Sequence, residues 1–221
     1  MIKRVFISRS AEDCNALSDL LRHEQIELLA LSLIETTALP FDAHVPKTDW
    51  IFFSSSNAVR YFFEVKPSLF GQKLGAIGRA TANTARAYHP IDFEGDASDI
   101  ADSASRFAEV LGSQTVLFPM ASTSLQHVQS AIAAHQVINL PVYQTQEKEV
   151  VVPTCSAYVF SSPSNVRAFF KSNSHVSGMQ CIAYGNATQA ELETHGVDSV
   201  KTPKSLDTNS IARTIIQVLR G

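Results

Sequence analysis

Short apolar runs alternate along this chain with segments of helical period. Val5-Phe6-Ile7, Leu28 to Leu33, Trp50 to Phe53, Leu74 to Ile77, Thr115 to Phe118, Tyr158 to Phe160 and Cys181 to Tyr184 are brief enough to read as strands. Helical patterns follow most of them. Leu17, Leu20 and Leu21 share one face of a helix that Ser10-Ala11-Glu12-Asp13 opens in the manner of a capping box and that runs to about His23. Ile100, Ala104, Phe107, Ala108 and Leu111 mark another helix, and Ile211, Ile215, Ile216 and Leu219 a third. Strands separated by helix-length segments predict parallel α/β sheets flanked by helices.

The pattern also repeats. The segment Asp49 to Phe63 lies over Ser156 to Phe170: Phe53 matches Phe160, Ser54 and Ser55 match Ser161 and Ser162, and Val59-Arg60 matches Val166-Arg167. Ala76-Ile77-Gly78-Arg79-Ala80-Thr81 lies over Ala183-Tyr184-Gly185-Asn186-Ala187-Thr188 at the same offset of 107 residues. A fainter echo relates Val5-Phe6-Ile7 to Val116-Leu117-Phe118. A duplicated unit of roughly 105 to 110 residues has the size of a domain, so two similar lobes with a cleft between them are expected. Leu33 to Leu39 and Leu140 to Gln146 alternate polar and apolar residues at the seams and are suited to pair as extended linkers.

Charge narrows the function. The 221 residues carry a formal charge of −3, which lacks the basic excess of a general nucleic-acid binder. An anionic ligand must therefore be held by local geometry. Cys14, Cys155 and Cys181 stand far apart, as reduced thiols of a cytoplasmic protein do. The start, MIKRVFISRS, has too short an apolar stretch for a signal peptide, and no segment has the length of a membrane span. A soluble intracellular protein is expected.

In each repeat a strand runs into a serine-rich turn and then a helix: Ser54-Ser55-Ser56-Asn57 and Ser161-Ser162-Pro163-Ser164. Small hydroxyl residues at a helix start admit a carboxylate or phosphate to free N–H groups. The same residues also serve as plain caps, with Asn57 and Ser164 as the expected N-caps. Gly78 and Gly185 end strands, and Thr81 and Thr188 are placed to cap the helices that follow, again where open α/β sheets bind ligands. Dinucleotide and P-loop glycine patterns are missing, as are a Gly-x-Ser-x-Gly elbow and any metal-binding His or Cys spacing, so no metal is expected. Arg9, after the first strand, is placed either to meet an anion or to sit at the surface. Arg60 and Arg167 read as surface or ion-pair residues. Tyr143, within a linker, either faces the cleft or is buried with a partner.

Taken in order, Trp50-Ile-Phe-Phe-Ser-Ser-Ser-Asn-Ala-Val59, Ala76-Ile-Gly-x-x-Thr81, Leu140-Pro-Val-Tyr-Gln-Thr145, Phe160-Ser-Ser-Pro163 and Thr202-Pro-Lys-Ser-x-Asp-Thr-Asn-Ser-Ile211 resemble the uroporphyrinogen-III synthase family over nearly the full chain. The resemblance implies two α/β lobes joined by a two-stranded β-ladder. Residues 1–35 with 150–221 would form a discontinuous lobe, 39–140 the other, and 36–38 with 141–149 the linker strands. It implies a cyclising lyase that turns hydroxymethylbilane into uroporphyrinogen III. Water leaves ring A, the resulting azafulvene is attacked by the substituted carbon of ring D, and a spiro intermediate reopens and closes with ring D inverted.

Tyr143 matches the family's tyrosine that assists departure of the hydroxyl group. The eight substrate carboxylates imply contacts from Arg9, Ser54, Ser55, Ser56, Asn57, Gly78, Thr81, Ser161, Ser162, Gly185, Asn186 and Thr188. No cofactor is implied. The expected partner is the tetrapyrrole substrate, with neither nucleic acid nor membrane, and a monomer that touches the preceding pathway enzyme transiently. Where many family members carry an Arg-Gly-rich turn, this chain has Phe118-Pro-Met-Ala-Ser-Thr-Ser124, so no arginine contact is implied there. Asn186 and Arg79 also vary the Gly-x-x-Thr turns. The competing reading is a non-catalytic two-lobed module that captures a small anion.

Overall fold

The computed structural model describes residues 2–174 and 178–220. The chain divides into two compact units, Met1–Glu35 with Gln146–Gly221 (unit 1) and Thr36–Thr145 (unit 2).

Unit 1 is built on β1 (Lys3–Ile7), β2 (Ile26–Ala30), β9 (Ala157–Phe160), β10 (Cys181–Ala183) and β11 (Val200–Lys201). These pair in the order β11-β10-β9-β1-β2, each pair parallel. Because side chains alternate along a strand, β1 feeds two cores. Val5 and Ile7 pack with Leu17 and Leu21 of α1 (Asn15–His23) and with Ile211 and Ile215 of α7 (Thr208–Arg220). Phe6 faces the other side, with Phe160, with Val166 and Phe169 of α5 (Pro163–Ser172), and with Leu192 of α6 (Asn186–Thr194). The rings of Phe160 and Phe169 meet edge-on at 5.3 Å, an arrangement that adds to the area they bury.

Unit 2 repeats the plan with β4 (Trp50–Phe53), β5 (Lys73–Ile77), β6 (Phe93–Gly95), β7 (Val116–Ala121) and β8 (Val137–Glu147). The sheet order is β3-β8-β7-β4-β5-β6, where β3 is Ile34–Ala38. The β4–β5, β4–β7, β5–β6 and β7–β8 pairs are parallel. Ile51 and Phe53 face α2 (Ser56–Glu64) and α3 (Arg79–Arg86), whereas Trp50 and Phe52 face α4 (Ile100–Leu111). The N–H of Leu39 donates to Val142 O, and the N–H of Lys148 donates to Leu33 O. One partner rises as the other falls, so β3 and β8 run antiparallel, and both chain crossings between the units fall within these two strands.

Three sequence expectations shift. The run Leu28 to Leu33 is not one strand: β2 ends at Ala30, and Leu33 is buried ahead of β3, its N–H held by Asn165 Oδ1 at 2.9 Å. The first helix opens with a 3₁₀ turn at Glu12–Cys14 and becomes α-helical only at Asn15. Ser10 Oγ accepts from the Asp13 N–H at a long 3.4 Å, which is too weak to fix the start earlier. Strand β6 has only one apolar side chain, Phe93, which is why periodicity missed it.

Cys181 is enclosed in the unit 1 core, and burial pushes its thiol up to about 12 from the ordinary 9.0. The unfolded chain releases this proton first, so native stability falls as pH rises from about 9 to about 12. Denaturation midpoints of the wild type should drop along this alkaline limb, and those of Cys181→Ala should drop less. Equal slopes would show the thiol to be more accessible than its burial implies.

Candidate active site

Both sheets are parallel at their centres, so strand carboxyl ends collect on one rim of each, the edge where such sheets bind ligands. On the rim of unit 2, β4 runs into Ser54-Ser55-Ser56, β5 into Gly78, β7 into Ser122, and β8 carries Tyr143. Ser55 has the extended backbone of an N-cap (φ −154°, ψ 149°), and its Oγ accepts from the Ala58 N–H at 3.1 Å. The same Oγ lies 3.1 Å from the Tyr143 hydroxyl. Tyr143 is 7% exposed and stacks on Tyr61, with ring centroids 5.3 Å apart and planes at 19°. Tyr61 is anchored in turn: its hydroxyl donates to Thr36 O at 2.7 Å and lies 2.9 Å from Thr36 Oγ1. Burial raises the Tyr143 pKa, against a smaller opposing effect of the Ser55 hydrogen bond, so the phenol keeps its proton at neutral pH. A buried, oriented O–H is a hydrogen-bond donor for a departing oxygen.

Ser54 is exposed, and Ser56 and Asn57 are half-buried in the first turn of α2, where backbone N–H groups have no intrahelical acceptor. Asn57 Oδ1 accepts from Arg60 Nη1 at 3.4 Å. Gly78 precedes α3 at φ +83°, a backbone that favours glycine, and a Cβ there would come 3.1 Å from Ala97 Cβ. Its own N–H is taken by Gly95 O at 2.8 Å, so Gly78 shapes the turn and offers no free amide. Thr81 is buried in the first turn of α3.

The rim of unit 1 follows the same design. Ser162 caps α5 with extended backbone (φ −161°, ψ 158°), its Oγ accepting from the Asn165 N–H at 3.4 Å and from Asn165 Nδ2 at 2.9 Å. Ser161 is committed to β1: its N–H donates to Ser8 Oγ at 2.8 Å and its hydroxyl to Ser8 O at 2.7 Å. Gly185 is the N-cap of α6 in extended backbone (φ 174°) with open space around it, Asn186 is exposed, and Thr188 is buried. Arg9 follows β1, with Asp13 Oδ2 3.8 Å from its guanidinium.

The caps differ from expectation. Ser55 and Ser162 cap the helices, not Asn57 and Ser164, because only the former have the extended backbone a cap requires; the latter are already helical. Thr81 and Thr188 likewise lie inside their helices and make no capping bond, the cap positions being Gly78 and Gly185. Arg167 is an ion-pair residue, 2.8 Å from Glu191 Oε2 and 3.7 Å from Glu147 Oε1. Sequence reasoning passed over Tyr61 and Ser8. Tyr61 had a signal: it stands where the second repeat has Ala168, an aromatic gained in one copy alone. Ser55→Ala is expected to cost about 1 kcal/mol in urea through the lost cap and to lower turnover by freeing the Tyr143 hydroxyl. Unchanged turnover would separate Ser55 from the chemistry.

Two α/β units in one chain, each with a largely parallel sheet and with hydroxyls and helix starts at its strand carboxyl ends, define a two-unit α/β class of protein. The family model described as Uroporphyrinogen-III synthase HemD matches residues 15–213, most of the length, and the chain belongs to that family. It is an enzyme of this type, a cyclising lyase of tetrapyrrole biosynthesis. The fold is similar to that of uroporphyrinogen-III synthetase from Helicobacter pylori, at 16% identity and a TM-score of 0.72, covering 99% of this chain and 100% of that one. It is also similar to a mutant uroporphyrinogen III synthase from the extremely thermophilic bacterium Thermus thermophilus, at 16% identity and a TM-score of 0.64, covering 99% of both chains. None of the curated protein sequences matches the chain. Among the described residues no helix is long and apolar enough to cross a membrane, and no three His, Cys, Asp or Glu side chains cluster as metal ligands.

Proposed function

We propose that the enzyme acts on hydroxymethylbilane with Tyr143 as the group that assists loss of water. The observation that carries this is the Tyr143 hydroxyl, 3.1 Å from the cap serine Ser55 and stacked on an anchored Tyr61. The phenol donates to the hydroxyl on ring A as it departs. The pyrrole N–H of that ring gives up its proton, and water and a neutral azafulvene result. Attack by the substituted carbon of ring D, reopening of the spiro intermediate and reclosure then invert that ring. Unaided closure gives the type I isomer, so the protein must hold one conformer of a flexible chain. A preference of about 1.4 kcal/mol between competing transition states gives tenfold selectivity.

Ser54, Ser56, Asn57, Thr81, Ser162, Gly185 and Asn186 take the acidic side arms through hydroxyls and first-turn amides, with Arg9 as a charged contact. Helix starts favour anions in this way. Ser161 and Thr188 do not take part, since the N–H and hydroxyl of Ser161 are spent on Ser8 and the N–H of the buried Thr188 on Gly185 O. The enzyme works as a monomer in the cytoplasm and receives its unstable substrate by transient contact with the enzyme that makes it. Freshly generated hydroxymethylbilane, supplied to purified protein, should give mainly type III product after oxidation. Type I alone, at the spontaneous rate, would leave only the anion-capturing module, a reading that the family membership does not favour.

A further inference from the structure

The internal repeat provides a control for the rim of unit 1. Val5 of β1 pairs with Ala157 of β9, and Val116 of β7 pairs with Trp50 of β4. Trp50 and Ala157 are repeat mates, so Val5 and Val116 are equivalent, and Arg9 stands where unit 2 has Met120. By the same repeat, Tyr184 stands where unit 2 has Ile77. Met120 and Ile77 belong to one apolar core, 4% and 6% exposed. The fold is thus satisfied by two hydrophobic side chains at these positions, and unit 1 replaces both with polar ones.

The replacements also stand at neighbouring strand ends, Arg9 after β1 and Tyr184 after β10, on either side of β9. The Tyr184 hydroxyl is enclosed and makes no well-formed hydrogen bond among the described residues. The Arg9 guanidinium lies close enough to act on its ionisation. The Arg9 side chain is 34% exposed, and its nearest carboxylate, Asp13, is at 3.8 Å, beyond hydrogen-bond length. Burial disfavours the Arg9 charge, but Tyr184, Cys14 and Asp13 outweigh it, so the group is firmly cationic. An enclosed hydroxyl that is poorly bonded is costly, as is a half-buried guanidinium whose N–H groups make no well-formed hydrogen bond among the described residues. A planar carboxylate fills that fork with two bonds.

We propose that Arg9 and Tyr184 form a carboxylate anchor on unit 1, in which the guanidinium grips one acidic side arm of the substrate and Tyr184 is the positioning residue that sets the guanidinium at the rim. The proposal rests on the function assigned above and goes beyond it by naming Tyr184 as the residue that orients the Arg9 contact, in a chain that has no basic field.

The test compares Tyr184→Phe, Arg9→Gln, Arg9→Lys and the Tyr184→Phe/Arg9→Gln double variant with wild type on hydroxymethylbilane. Each single variant should raise KM about threefold to tenfold with kcat within about twofold. The double variant should be no worse than Arg9→Gln alone, since both act through one contact, and lysine should not rescue. Thermal stability of Tyr184→Phe should stay close to wild type, because the hydroxyl it removes makes no well-formed hydrogen bond among the described residues and acts only on a guanidinium at the rim. An unchanged KM in Tyr184→Phe, additive effects, or loss of kcat at constant KM would overturn the anchor. If wild type itself forms no type III product, the functional assignment fails separately. The anchor is then read from binding of the octacarboxylate uroporphyrin, weaker in Arg9→Gln and Tyr184→Phe if it exists and equal in all proteins if it does not.

Discussion

Tyr143→Phe is expected to lower kcat for type III product about tenfold while leaving KM nearly unchanged, a loss of about 1.4 kcal/mol of transition-state stabilisation. The substitution keeps the ring, and with it the stacking on Tyr61 at 5.3 Å, and removes only the oxygen that lies 3.1 Å from Ser55 Oγ. The size sits below the roughly 100-fold or more of a strong general acid, because the azafulvene forms slowly without protein. Isomer selectivity should fall with turnover as spontaneous closure to type I competes. Burial holds the phenol above its ordinary pKa, so any fall of kcat through Tyr143 ionisation begins above about pH 10 and is missing from Tyr143→Phe. Chromatography of the oxidised products reads both quantities. Full turnover with full selectivity would remove Tyr143 from the mechanism.

Phe107→Ala is expected to destabilise unit 2 by about 3–5 kcal/mol, a large share of the ~5–15 kcal/mol that separates folded from unfolded domains. Phe107 is fully buried in the middle of α4 and meets Phe52 at 4.4 Å, Phe93 at 5.1 Å and Trp50 edge-on at 5.4 Å. Few neighbours can collapse into the space, because Trp50 and Phe52 are fixed in the central strand of that sheet. Trp50 is the only tryptophan of the chain, so its fluorescence follows unit 2 alone, whereas far-ultraviolet circular dichroism follows both units. In urea the fluorescence transition should move to lower concentration and separate from the dichroism transition, as two-state behaviour breaks down. Coincident transitions would show that the two cores melt as one.

Much of the fold was legible in the sequence where one physical rule decided the outcome. Trp50 to Phe53 and Ile100 to Leu111 are strand and helix with the bounds their periodicity predicts, since all four strand residues are buried and the helix has one clear apolar face. The 107-residue repeat told that the rim turns come in two copies. Periodicity failed where a single bond overrode it. Leu33 looks like a continuation of β2, yet its N–H goes to Asn165, 132 residues away, and no local pattern encodes that.

The candidate site divides in the same way. Residue types and spacing alone determined that serine turns and Gly-x-x-Thr turns close successive strands, because strand, turn and helix propensities act over a few residues. Which serine caps, which amide is already spent on Gly95 O, and which tyrosine stands behind Tyr143 were decided only by tertiary structure. Backbone angle at a cap, hydrogen bonds between distant strands and ring stacking depend on residues far apart in the chain, and only packing brings them within reach.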